Sequence, residues 1–140
     1  MATEGPLIHD GSQCTAAVNM SSTAGLAGFN GTGQFLLVKI TAARALSPVA
    51  LATDIVYGVL QNDPIAGFIC DVGIFGITKV IVGAAVSAGA ALMADTSGRA
   101  ITGVAASTNQ IFGQALEAAT AANQVIVAKV FCFPALYNNP

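Results

Sequence analysis

The chain has 140 residues with five basic and seven acidic side chains, a net charge of −2, and an apolar content of 54%. Such a length makes one domain the default and lets the fold hide roughly two-thirds of the unfolded surface. Its charged fraction of 9% is about a third of that of an average soluble domain, so either a membrane or partner proteins must cover much of the surface.

The membrane alternative fails on spacing. A spanning helix needs about 20 predominantly apolar residues, and the best window, residues 65–94, is broken by Asp71, Lys79 and several glycines. The start, Met1-Ala2-Thr3-Glu4, carries neither a basic segment nor an apolar leader, so no secretory signal is expected. Lys39, Arg44, Lys79, Arg99 and Lys129 are scattered, whereas a grip on nucleic acid needs them clustered. Coverage by partner proteins is the expectation that remains.

Residues 1–34 are rich in Gly, Ser, Thr, Asn and Ala, and no period of 2 or 3.6 persists in them. They read as a loop or extended arm rather than core. The arm nevertheless carries Leu7, Ile8, Val18, Leu26 and Phe29. A solvated tail is normally more polar than this, so these residues are candidate contacts with a neighbouring protein.

Residues 35–133 form the expected folded domain. Gln34 to Thr41 predicts a strand with Leu36, Val38 and Ile40 on the core face and Phe35, Leu37, Lys39 and Thr41 on the other. Ala42 to Pro48 reads as a connection able to form a helical turn, and Val49 to Leu51 as a short strand. Ile55 to Leu60 is the next strand, ended by Asn62-Asp63-Pro64. Phe68 to Ile74 alternates with Phe68, Cys70, Val72 and Ile74 inward, and Gly73 and Gly76 predict a bend or bulge before the strand Ile77 to Val82. Ala91 to Ala94 and Arg99 to Gly103 read as a hairpin around Asp95-Thr96-Ser97-Gly98.

Ile111 to Thr120 suits a helix when taken alone, because Phe112, Ala115, Leu116 and Ala119 share a helical face. Gln124 to Phe133 is a strand with Ile126, Ala128, Val130 and Cys132 on an uncharged face. The tail, residues 134–140, should be extended. About eight short strands with little helix predict an all-β barrel or sandwich. Val38, Ile40, Cys70, Val72, Ile81, Ile126 and Val130 form the expected core.

No catalytic constellation emerges. His9, Asp10 and Cys14 invite a nucleophile or metal reading, but they lie in the arm, where nothing fixes their geometry. A single histidine and scattered carboxylates offer no metal-ligand spacing. Gly28, Gly31 and Gly33 lead into a strand rather than a helix, so a phosphate cradle is not expected. The odd count of three cysteines argues against a disulfide framework, and Cys70 and Cys132 read as small buried hydrophobes.

The order of phrases in the second half carries more information than any one of them. Gly58-Val59-Leu60-Gln61-Asn62 is followed by Pro64 with Ala66-Gly67, and then by Gly76-Ile77-Thr78-Lys79-Val80. Val86-Ser87-Ala88-Gly89, Asp95-Thr96-Ser97-Gly98-Arg99-Ala100, Gly113-Gln114-Ala115-Leu116-Glu117-Ala118-Ala119 and Val125 to Val130 complete the series. Over residues 35–131 this resembles the tailed-bacteriophage capsid decoration (cement) proteins of the DUF2190 type. The resemblance implies a small β-barrel of β-tulip or β-clip type, with Ala115 to Ala119 the end of a strand and a turn. It also implies homotrimers made in the host cytoplasm and bound to the major capsid protein, on the outer surface of an icosahedral head near its local threefold axes. No enzymatic activity and no cofactor are implied. The arm and the aromatic tail, Phe131, Phe133 and Tyr137, lie outside the shared pattern and are expected to serve contacts peculiar to this shell. Another self-assembling virion component, such as a tail, fibre or shell subunit, is the alternative, and a small-molecule binding barrel comes third.

Overall fold

The structure, a computed structural model, describes residues 7–9, 14–16, 33–104 and 109–132. In chain order its strands are β1 Leu7–His9, β2 Thr15–Ala16, β3 Leu37–Ala42, β4 Ala45–Pro48, β5 Gly58–Leu60, β6 Val72–Ile81, β7 Ala91–Ala94, β8 Ala100–Thr102, β9 Ile111–Ala115 and β10 Val125–Phe131. There is no helix among the described residues, as the all-β expectation required. The strands join in one sheet in the order β2-β4-β3-β5-β6-β10-β9-β7-β8, and β1 adds to β6. All pairings between strands are antiparallel except β2 with β4.

The ten-residue β6 is the spine, since β1, β5 and β10 all pair with it. The expected bend falls inside this one strand rather than between two. Gly76 sits there at φ 130°, a backbone region closed to most side chains. The far end of the sheet curls back. Val82 bridges Ala100, and the Gly83 N–H donates to the Ala100 carbonyl at 2.8 Å. At the start of β3, the Leu37 N–H donates to the Gly98 carbonyl at 2.7 Å in the β7–β8 turn. These bonds curl the sheet into a barrel-like shape.

The curled sheet has two hydrophobic faces. The larger cluster includes Leu37, Val59, Val80, Leu92, Phe112, Ile126, Ala128 and Val130. The smaller one holds Cys14, Ala16, Val38, Leu46, Leu60, Cys70 and Val72. Neighbours in sequence alternate between the two clusters: Leu37 with Val38, and Val59 with Leu60. This is the pleat at work, with both faces covered.

Several expectations are corrected by this arrangement. Leu37 is as buried as Leu36, because both faces are covered and Phe35, at φ 71°, turns the chain before β3 begins. Ile40 is 55% exposed instead of buried. Along β3, β5 pairs only with Leu37 and Val38, so β3 runs past this neighbour and Ile40 is left more than half exposed. Ala42 to Pro48 is no helical connection: β3 and β4 form a hairpin that turns at Arg44, φ 54°. The strand placed at Val49 to Leu51 lies instead at Ala45–Pro48. Cys14 and Ala16, assigned to the arm, are buried in the smaller cluster. Val38, Cys70, Val72, Ile81, Ile126 and Val130 are buried as expected.

The few charges mostly hold turns. Asp95 accepts from the Ser97 and Arg99 N–H groups and pairs with the Arg99 guanidinium at 2.9 Å. Glu117 accepts from the Val127 N–H at 3.0 Å. Lys39 donates to Asp54 at 2.7 Å, and the Ala50 and Leu51 N–H groups converge on the same oxygen. Burial pushes the Asp54 carboxyl up, but Lys39 and the two N–H groups outweigh it, so its pKa lies below the ordinary value. A depressed carboxyl stabilises the fold above its unfolded pKa of about 4, and that contribution is lost as pH falls through the folded value. The melting temperature is therefore expected to fall with acidification below about pH 4, and less steeply in Asp54→Asn. Parallel melting curves across pH 2–6 check this, and identical slopes would refute it.

Candidate docking surface

The most strongly built surface feature is the connection from β5 to β6. Gln61 opens it, donating its N–H to the Asp71 carbonyl at 2.7 Å. Asn62 closes the loop on itself: its Nδ2 donates to the Ile69 carbonyl and its Oδ1 accepts from the Asp71 N–H, both at 2.9 Å. The Gly33 N–H donates to Asp63 Oδ1 at 2.7 Å, and Pro64 is the buried residue of the loop. The tip is a turn in which the Phe68 N–H donates to the Ile65 carbonyl, with Gly67 at φ 84°, a conformation that favours glycine. Residue 16 straps the tip down: the Gly67 N–H donates to the Ala16 carbonyl, and the Ala16 N–H donates to the Phe68 carbonyl. The loop is thus held by main-chain and amide bonds, so its shape exists before any partner arrives.

What it presents is apolar. Ile65, Phe68 and Ile69 are 45%, 62% and 56% exposed. They border a shallow depression of about 380 Å³ completed by Asn62, Asp63 and Pro64. Phe68 was expected to point inward. It does not, because β6 starts only at Val72 and the alternation of Phe68 and Cys70 falls in a turn. Three large apolar side chains on one braced loop are the kind of cluster that marks a protein contact. Neither Ile65 nor Ile69 was singled out from the sequence. The signal available was the pair of turn phrases, Asn62-Asp63-Pro64 and Ala66-Gly67, with apolar residues on both sides of the second.

A second apolar row crosses three strands. Phe75 on β6 stands opposite Ile8 on β1 and Phe131 on β10, so the three positions share one face of the sheet. Phe75 is 40% exposed, and Phe131 is half-buried. The register therefore joins two of the residues nominated from sequence, one from each end of the chain. Leu7 lies next to Ile8 on β1, opposite Gly76. Val18, Leu26, Phe29, Phe133 and Tyr137 lie outside the described residues.

Among the described residues, no group of three or more His, Cys, Asp or Glu side chains is placed to hold a metal ion. The family model described as phage cement protein matches residues 32–130. The chain belongs to the phage cement protein family. It is accordingly a structural component of the phage virion. Among solved structures it is similar to the N base of head fiber gp8.5 in bacteriophage phi29, with a TM-score of 0.64 and 19% identity. The match covers 88% of this chain and 94% of that one, and it speaks for the shared fold. No curated protein matches the sequence. The structure settles the ambiguous segment: Ile111–Ala115 is a strand, followed by a turn, and not a helix.

Proposed function

We propose that this protein decorates the outer surface of an icosahedral phage head. In this reading it binds the major capsid protein as a homotrimer, at or near the local threefold axes, and stabilises the shell against the pressure of packaged DNA. The observation that carries this is the cement-family match over residues 32–130. The braced loop of residues 62–69 lies inside that match, so we assign it the contact with the shell. Residues 1–34 and 134–140 fall almost wholly outside the match, and we assign the apolar residues there to contacts particular to this head.

Cementing needs no chemistry. A subunit bridging several capsomers adds apolar contact that must be broken before they part. That contact contributes about 25 cal/mol per Å², less the cost of ordering the partners. A largely apolar loop, with Asp63 its single acidic residue, suits the task, because each unpaired charge buried at the contact is costly. Repetition at every site raises the barrier to rupture.

The likeness to a head-fiber base favours a second reading, in which the domain seats a projection on the head. Particle reconstructions with and without the protein separate the two. Cement is expected as compact knobs at local threefold positions, and particles lacking it should rupture at a lower temperature. Projections extending well beyond a knob favour the fibre reading. Density at a single vertex would overturn both.

A further inference from the structure

Cys14 and Cys70 are far apart in sequence but face each other in the fold. The Cys70 N–H donates to the Cys14 carbonyl at 2.9 Å, and the Ala16 N–H donates to the Phe68 carbonyl at 2.8 Å. These two bonds define an antiparallel register in which residue 14 stands directly opposite residue 70. Directly opposed residues project to the same side, and both thiols lie buried in the smaller core cluster. An opposed pair of this kind has Cα atoms about 5.5 Å apart, within the range of about 4.4–6.8 Å that a disulfide spans. Its Cβ atoms must close by roughly 1–2 Å to reach disulfide geometry. The Cys14 side is the shorter element: β2 is two residues long, held by β4 on one side and by three main-chain bonds to residues 67–70 on the other.

We infer that Cys14 and Cys70 form an oxidation-dependent staple, a site where a peroxide converts two thiols into one disulfide. The step balances as two thiols and one hydrogen peroxide giving one S–S bond and two waters. One thiol is first oxidised to the sulfenic acid, and the other then displaces water from it. Nothing in this depends on the assembly proposed above.

The surroundings set the rate and the selectivity. Burial pushes the Cys70 thiol up to about 11, and the neighbouring Cys14 adds to that. The protonated thiol is a poor nucleophile, so the pair survives as thiols in a reducing cytoplasm and reacts when residues 14–16 part from residues 67–70. Cys14 Sγ lies 3.8 Å from the Tyr57 hydroxyl, a weak contact that yields readily. Cys132 sits in the other cluster, and burial alone pushes it up to about 12, so it should remain a thiol. Once formed, the bond ties the N-terminal strap to the end of the loop that carries Ile65, Phe68 and Ile69. The staple would therefore fix that loop after the particle leaves the cell.

The test uses the full chain, freed of reductant and treated with hydrogen peroxide while folded. Thiols are then counted by alkylation after denaturation in acid. Three thiols are expected before treatment and one after, with peptide mapping joining residues 14 and 70. Cys132→Ser should lose both of its remaining thiols in the same time. Cys14→Ala should lose the cross-link while circular dichroism shows its sheet intact. The stapled chain should melt at a higher temperature than the reduced one. Three thiols surviving in folded protein under peroxide that oxidises the denatured chain would overturn the inference. A cross-link through Cys132, a chain-to-chain disulfide, or oxidation of a single cysteine without pairing would do so equally.

Discussion

Phe112→Ala is expected to lower the unfolding free energy by about 3–5 kcal/mol. Phe112, the second residue of β9, is the largest fully buried side chain among the described residues, and it is packed in the cluster that β3, β5, β6, β7, β8 and β10 all enter. Truncation removes the ring and leaves a cavity in the larger cluster, whose strands are pinned by ladder bonds that limit collapse. Ile40→Ala is the matched comparison. Its side chain is more than half exposed, so the change should stay within about 0.5 kcal/mol. Urea unfolding of both variants reads the difference directly. Equal costs, or less than about 1 kcal/mol for Phe112→Ala, would mean that the sheet does not close around β9 as described.

The second large effect is on attachment rather than folding. The double substitution Phe68→Ser with Ile69→Ser should leave the melting temperature nearly unchanged, because both side chains are exposed and the loop is held by Asn62 and by main-chain bonds. Binding to heads lacking the protein should weaken tenfold or more, on the order of 1.4 kcal/mol or above, as for a central apolar anchor. Co-sedimentation with such heads measures it. Asn62→Ala is the companion: it keeps the apolar side chains but removes the brace, so weaker binding is expected here through the cost of ordering the loop. Full binding by the serine double variant would remove the loop from the shell contact and return the question to Phe75 and Phe131.

Composition and local pattern by themselves determined the fold class and several strands, and the order of phrases along the chain carried the resemblance to the family that the family model bears out. The Asp95-Thr96-Ser97-Gly98 hairpin and the face of Ile126, Ala128 and Val130 were legible because turn chemistry and the two-residue period are local properties of the backbone. The low charge pointed to a covered surface for the same reason, since it needs no knowledge of which residues meet. Other features depended on neighbours distant in sequence. Ile40 follows the same alternation as Val38, yet it is exposed because β5 stops short of it. Ile111 to Ala115 has apolar spacing that suits a helix, yet pairing on both sides with β7 and β10 makes it a strand. Cys14 and Ala16 carry no periodic signal, but they are buried because the second face of the sheet needs a cover that the chain finds only there. The loop of residues 62–69 could be read as a turn from its residues. That it displays Ile65, Phe68 and Ile69, and that Cys14 meets Cys70 beneath it, was decided by tertiary pairing, because side-chain exposure and cross-strand register depend on the partner strand as much as on the residue.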